Sequence, residues 1–261
     1  VTVSVLYWPR QMLPGFGAKA GPSGASVRLP EFLRRALRSD QMELDNALTQ
    51  MWYLLTQPSL VAKMAKARKM TKNHYHRDDP AFVVLQLLFI AASAVAFGFA
   101  LQAPLLRIVS TALFAMLLTY GFATALFSGA TWLLCNRVLV PLPLTPHEVR
   151  RDVEWQYCVD VHCNAYFAFF MYADVLHFIL LPLTIRSGFG AQLIGNVLFA
   201  AGAIAYFYVT FRGFVELPNV DRPQVFLYPV VAVATLCVLA TVTTHINMSH
   251  AMLHHAWPLE A

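Results

Sequence analysis

Five blocks of apolar residues, each close to the length that carries a helix across a bilayer, decide what this chain can fold into. They occupy residues 82–101, 108–135, 165–184, 191–211 and 225–244. A helix rises 1.5 Å per residue, so about 20 apolar residues cross roughly 30 Å of hydrocarbon. A soluble core would alternate apolar with polar positions at a helical or strand period, and these blocks do not. Composition agrees: 58% of the 261 residues are hydrophobic and 13% charged, about half the charge of an ordinary soluble domain. That excludes a disordered chain and a coiled coil. Cys135, Cys158, Cys163 and Cys237 lie in or beside apolar blocks with no C-x-x-C pair, which excludes a disulfide scaffold. The expected fold class is all-α: a polytopic membrane helical bundle of about five transmembrane helices over residues 81–261, preceded by cytosolic amphipathic helices.

The block at 108–135 exceeds a bilayer's thickness, so it tilts or runs past the membrane, and Gly121 and Gly129 are expected to let a neighbouring helix approach. Orientation follows from lysine and arginine, which concentrate in cytosolic loops. Twelve precede the first block, Arg137, Arg150 and Arg151 join the second to the third, and Arg212 and Arg222 join the fourth to the fifth. The alternate loops hold only Arg107 and Arg186. This predicts a cytosolic N-terminus and, with five crossings, a lumenal C-terminus. The opening VTVSVLYWPR has too short an apolar run for a signal peptide, so no cleaved leader is expected.

Residues 1–30 are rich in Gly, Pro, Ser and Ala and read as a flexible arm. Residues 31–80 read as cytosolic helices. Leu33, Leu37, Leu44, Leu48, Met51 and Leu55 recur at helical spacing, Asp40 and Glu43 resemble a capping box, and Pro58 ends the run. Its apolar face has three destinations: the chain's own bundle, the lipid interface, or a partner. Lys63, Lys66, Arg68, Lys69 and Lys72 then form a basic stretch, and beside an anionic leaflet each charge contributes about 1 kcal/mol, making membrane lipid the expected contact. Nucleic acid is disfavoured, because no RNP, KH or zinc signature accompanies the charge. Arg77, Asp78 and Asp79 precede Pro80 as a cap for the first membrane helix.

Thr145-Pro146-His147-Glu148 predicts a helix start, with the helix running unbroken into the third block. Along it Gln156, Asp160, Asn164 and Asp174 share an arc of roughly 80° at 100° per residue, with Tyr157 beside them. Lipid offers such an arc no hydrogen bond, and a carboxylate at mid-bilayer costs about 2.5 to 3.5 kcal/mol. Asp160 and Asn164 are therefore expected to face inward, with Tyr157 or Glu216 as partners. Glu154, Tyr157, Asp160, His162 and Asn164 form the candidate polar cluster. Glu154, Asp160, His162, His177, His250, His254 and His255 are metal-ligand types, yet H-E-x-x-H and G-x-S-x-G motifs are missing, so hydrogen bonding is preferred over a metal or catalytic site and no cofactor is expected.

Several strings together resemble one family, the uncoordinated-fifty (Unc-fifty) family of Golgi membrane proteins. They are QMELDNALTQMWYLLTQP at 41–58, TKNHYHRDDPAF at 71–82, DVEWQYCVDVHCNAYF at 152–167, GNVLFAAGAIAYFYVTFRGFVELP at 195–218, FLYPV at 226–230 and NMSH at 247–250. The resemblance implies a multi-pass Golgi protein with a cytosolic N-terminus, linked to transport and assembly of receptor cargo such as nicotinic acetylcholine receptors, and to a guanine-nucleotide exchange factor of Arf GTPases. It supplies no catalytic residue. An RNA-binding activity attributed to members finds no motif here. Three functions follow as expectations: a non-enzymatic trafficking adaptor, a lipid- or ion-handling protein with an intramembrane polar cavity, and a membrane metalloenzyme.

Overall fold

The computed structural model describes residues 36, 42–142, 151–244 and 246–257. Helix α1 spans Leu44–Thr56 and α2 spans Pro58–Lys72. Proline suits the first turn of α2, where no N–H is needed, and Asn73 stops α2 in the left-handed region at φ 62°. Ala47, Met51 and Leu54 recur at a spacing of three to four residues and bury one face of α1 in the bundle core; of the apolar face expected from the leucine spacing, only Met51 belongs to it. Leu44, Leu48, Trp52 and Leu55 remain exposed on α1. Asp40 lies outside the described residues. At the observed start, the Glu43 side chain makes no cap bond, and the Glu43 N–H instead donates to Asp79 Oδ2 at 2.8 Å.

Four helices among the described residues, rather than five, are long and apolar enough to cross a membrane. They are α3 (Ala81–Ala100), α4 (Leu105–Leu139), α6 (Phe189–Val215) and Pro223–Val242, whose last part is α7 (Tyr228–Val242). The third expected span lies within α5, a continuous helix over 155–179 whose α-helical part, Trp155–Phe170, passes into a π-helical Met171–Leu176. Polar residues take α5 out of the apolar class. It is nevertheless the enclosed centre of the bundle, with Tyr157, Cys158, Val161, Cys163, Ala165 and Phe167 all buried.

The helix expected from Thr145 does not run unbroken into the third block; its expected start lies outside the described residues. Residues 143–150 lie outside the described set, 151–154 are non-helical, and α5 begins at Trp155. The cause is Asn136, whose Nδ2 donates to the Val153 carbonyl at 3.1 Å while its Oδ1 accepts the Val153 N–H at 2.8 Å. Those two backbone groups are thus withdrawn from helical bonding.

Glycine places the helices, though not at the expected positions. A Cβ at Gly129 would meet nothing within 4 Å, and one at Gly121 only a carbonyl of its own helix. The close approaches lie at Gly98 of α3, where a Cβ would collide with Ile108 of α4, and on α6. A Cβ at Gly213 would sit 2.9 Å from Val161, and one at Gly202 3.1 Å from Phe169. Position 213 pairs with 161 and position 202 with 169, so α6 runs antiparallel to α5 with its backbone against it.

With 35 residues, α4 outruns the bilayer at one end. Cys135, Leu139 and Val140 there join Ala65, Val153, Tyr157, Cys158, Val161 and Phe214 in one cluster, beside α2 with Lys63, Lys66, Arg68, Lys69 and Lys72. We call this the basic end. At the opposite end α8 (Met248–Ala256) packs Leu253 and Trp257 on Phe97 and Ile108. Asn247 caps α8, accepting from the Ser249 N–H at 3.0 Å. Gln192 and Asn196 donate to the Ile246 carbonyl at 3.4 and 2.9 Å, tying α6 to that turn.

Candidate functional site: a polar network at the basic end

The connection 73–80, between α2 and α3, lies across the start of α5, and two carboxylates of the α5 region hold it there. Asp160 Oδ2 accepts the Arg77 N–H at 2.5 Å and faces Arg68 Nη2 at 4.0 Å. One turn on, Asn164 Oδ1 accepts from Arg77 Nη2. The Arg77 guanidinium also lies over the Phe82 ring, 4.1 Å from its centroid. A planar cation with a ring on one side and an amide at its edge is a geometry lysine does not reproduce.

Glu154, at the cap position of α5, is the second anchor. Its Oε2 accepts the Tyr75 N–H at 3.3 Å and lies 3.0 Å from His76 Nδ1, and its Oε1 accepts from Lys69 Nζ at 3.3 Å. Burial alone would raise the affinity of Glu154 for a proton. The donors from His76, Tyr75 and Lys69 outweigh it and hold the group below the usual carboxylate range. Asp78 behaves alike: burial opposes ionisation, and the Lys72 ammonium at 2.6 Å prevails and lowers it. Arg68 is shifted down by burial and by Arg77, while its Nε donates to the Tyr75 carbonyl at 3.1 Å. Asp79 Oδ1 accepts the Ala81 N–H at 3.1 Å and its Oδ2 the Glu43 N–H, so one carboxylate starts α3 and fixes α1.

The structure redistributes the expected roles. Arg68, Lys69 and Lys72 pair with Asp160, Glu154 and Asp78, leaving Lys63 and Lys66 exposed on α2. Asp160 and Asn164 find Arg77 and Arg68 in place of Tyr157 or Glu216, and the Tyr157 hydroxyl donates instead to the Gly213 carbonyl at 2.7 Å. Asp174 leaves the Asp160 stripe, because the π-helical Met171–Leu176 shifts the register, and it pairs with Ser93 of α3. His162 is not part of the network. Its Nδ1 lies 2.7 Å from the Tyr206 hydroxyl and its ring stacks on Phe127. His177 packs between Phe97 and Phe199, and His250 lies 3.2 Å from the Ile185 carbonyl at the far end. These histidines and Glu154 do not converge. Sequence reasoning passed over Tyr75 and His76, whose signal was their position between two paired residues in the 71–82 string.

Chemically, the network binds and orients. Glu154, Asp160 and Asp79 are each committed to two or more donors, an arrangement that fixes a loop.

A profile described as the UNC-50 family matches residues 32–257. The chain is 36% identical over 232 residues to Protein unc-50 of Caenorhabditis elegans, covering 88% of this chain and 74% of that one. It is 33% identical over 218 residues to the Protein unc-50 homolog of Dictyostelium discoideum, covering 82% of each. The human Protein unc-50 homolog is 34% identical over 209 residues, covering 78% of each. No solved structure matches. A matched stretch that runs from ahead of α1 to the end of α8, and so takes in both anchors of the network, assigns this chain to the UNC-50 family.

Proposed function

We propose that this protein is a non-enzymatic adaptor of the Golgi membrane, acting in the transport and assembly of receptor cargo through a guanine-nucleotide exchange factor of Arf GTPases, with the basic end cytosolic and the C-terminus lumenal. The carrying observation is the commitment of Glu154 and Asp160 to internal donors, which makes the basic end a fixed platform and leaves Lys63, Lys66, Met70 and Trp155 outward. Such a surface offers charge and apolar area to a lipid headgroup or a protein partner. The charge bias of the loops supports the orientation.

Proximity labelling with the full-length chain tests this reading. Lys63→Glu with Lys66→Glu is expected to leave abundance unchanged and to reduce labelling of the exchange factor several-fold. Undiminished labelling would refute the basic end as the docking surface.

A second reading, lipid handling, has its own observation. Two largely apolar grooves, of about 610 and 490 Å³, flank α5; one is lined by Pro58, Met171 and Tyr208, the other by Trp52, Phe89 and Phe178. Both are wide enough for an acyl chain. Purification with a stoichiometric lipid that Ala205→Trp displaces would favour this reading over the adaptor.

A further inference from the structure

The connection 73–80 also gathers His74, His76 and Asp78, at every second position. One ligand atom from each lies within 4.8 Å of the others. The two imidazoles stack with centroids 4.2 Å apart. His74 Nδ1 lies 3.1 Å from the His76 carbonyl oxygen, which can only accept, so that nitrogen carries the proton. His76 Nδ1 lies 3.0 Å from Glu154 Oε2, which already accepts the Tyr75 N–H, so the same holds there. With Nδ1 as the donor, the other nitrogen of each ring is the one that can offer a lone pair to a metal ion. That nitrogen of His74 faces Asp78 Oδ1 at 3.4 Å. A ring nitrogen and a carboxylate oxygen so placed share a cation, either a proton on the ring or a metal ion.

Each of the three groups has an outer partner of the kind that orients a metal ligand: a backbone carbonyl for His74, Glu154 for His76, and Lys72 on Asp78 Oδ2 at 2.6 Å. All three side chains are a quarter to a third exposed, at 26%, 26% and 32%, so an ion can enter and keep a water. We propose that His74, His76 and Asp78 form a divalent transition-metal site, zinc foremost, with two imidazole nitrogens and Asp78 Oδ1 as ligands. Two nitrogens with one oxygen suit zinc and exclude magnesium and calcium, which take all-oxygen shells. Bound there, the ion clips the connection between α2 and α3 onto Glu154.

The test uses the full-length chain without a polyhistidine tag, purified in detergent, stripped with chelator and titrated with zinc chloride, reading bound zinc per chain and the thermal midpoint. Close to one zinc per chain is expected, with a raised midpoint and no response to magnesium. His74→Gln and His76→Gln should each weaken zinc binding at least tenfold, and the metal-free midpoint of His74→Gln should stay near that of the parent, since His76 also holds Glu154. His250→Gln with His254→Gln, at the other end of the bundle, should bind as the parent does. Zinc content that survives both loop variants, or that falls only in the far-end variant, overturns the proposal. So does a parent chain that binds none.

Discussion

At Asp160 the Arg77 backbone N–H and the Arg68 guanidinium meet, and the consequences of losing the carboxylate follow from what each donor would face alone. Asp160→Ala leaves the Arg77 N–H and the Arg68 charge partly buried without their acceptor, at a cost of roughly 1 to 3 kcal/mol. A drop of several degrees in thermal midpoint should register it. Asp160→Asn keeps an acceptor oxygen and should cost less than half as much. Glu154 supplies a pH test. Its folded pKa lies below the unfolded value, so its contribution is fully present above the ordinary carboxylate pKa of about 4.3 and is lost as pH falls through the lower folded value. Glu154→Gln should therefore lower the midpoint at neutral pH and flatten its decline in acid. A variant as acid-sensitive as the parent would show that Glu154 carries none of that decline.

Among the elements, the α5–α6 pair depends on two glycines. Gly213→Ala brings a methyl group 2.9 Å from Val161, and Gly202→Ala brings one 3.1 Å from Phe169. Overpacking of this kind costs about 1 to 3 kcal/mol. Gly129→Ala, with open space around it, should be neutral or slightly stabilising. Equal stability of all three variants by thermal unfolding in detergent would contradict the packing described. The contrast also shows what the sequence revealed. Four of the five apolar blocks coincide with helices long and apolar enough to cross a membrane, a property that needs only length and apolarity, and the leucine period marks α1 as a helix although Leu44, Leu48 and Leu55 form its exposed side. The glycines that matter were not separable from those that do not, because close approach depends on a partner helix distant in sequence. The break ahead of α5 is hidden for the same reason: Asn136, 17 residues upstream, takes the Val153 backbone that a local reading leaves to a continuous helix.

For the whole molecule, two ends with different chemistry are joined by an apolar middle. The stripe of Asp160 and Asn164 was legible as inward-facing, since lipid satisfies neither group, but its partners were not, because Arg77 reaches it across 83 residues of chain. In the proposed orientation the basic end meets cytosol, so a tag ahead of Val1 should be cut by protease from the cytosolic side and one after Ala261 should be protected. Both tags on one side would remove α5 from the list of crossings. The adaptor account requires more than topology: it requires the buried carboxylate to act only through structure. The most direct measurement follows Asp160→Asn in the full-length chain, reading abundance, Golgi fraction and labelling of the Arf exchange factor together. The account predicts that labelling per molecule equals that of the parent, any loss appearing as lower abundance or retention in the endoplasmic reticulum. A variant that folds, reaches the Golgi at normal levels and still loses the interaction would contradict it.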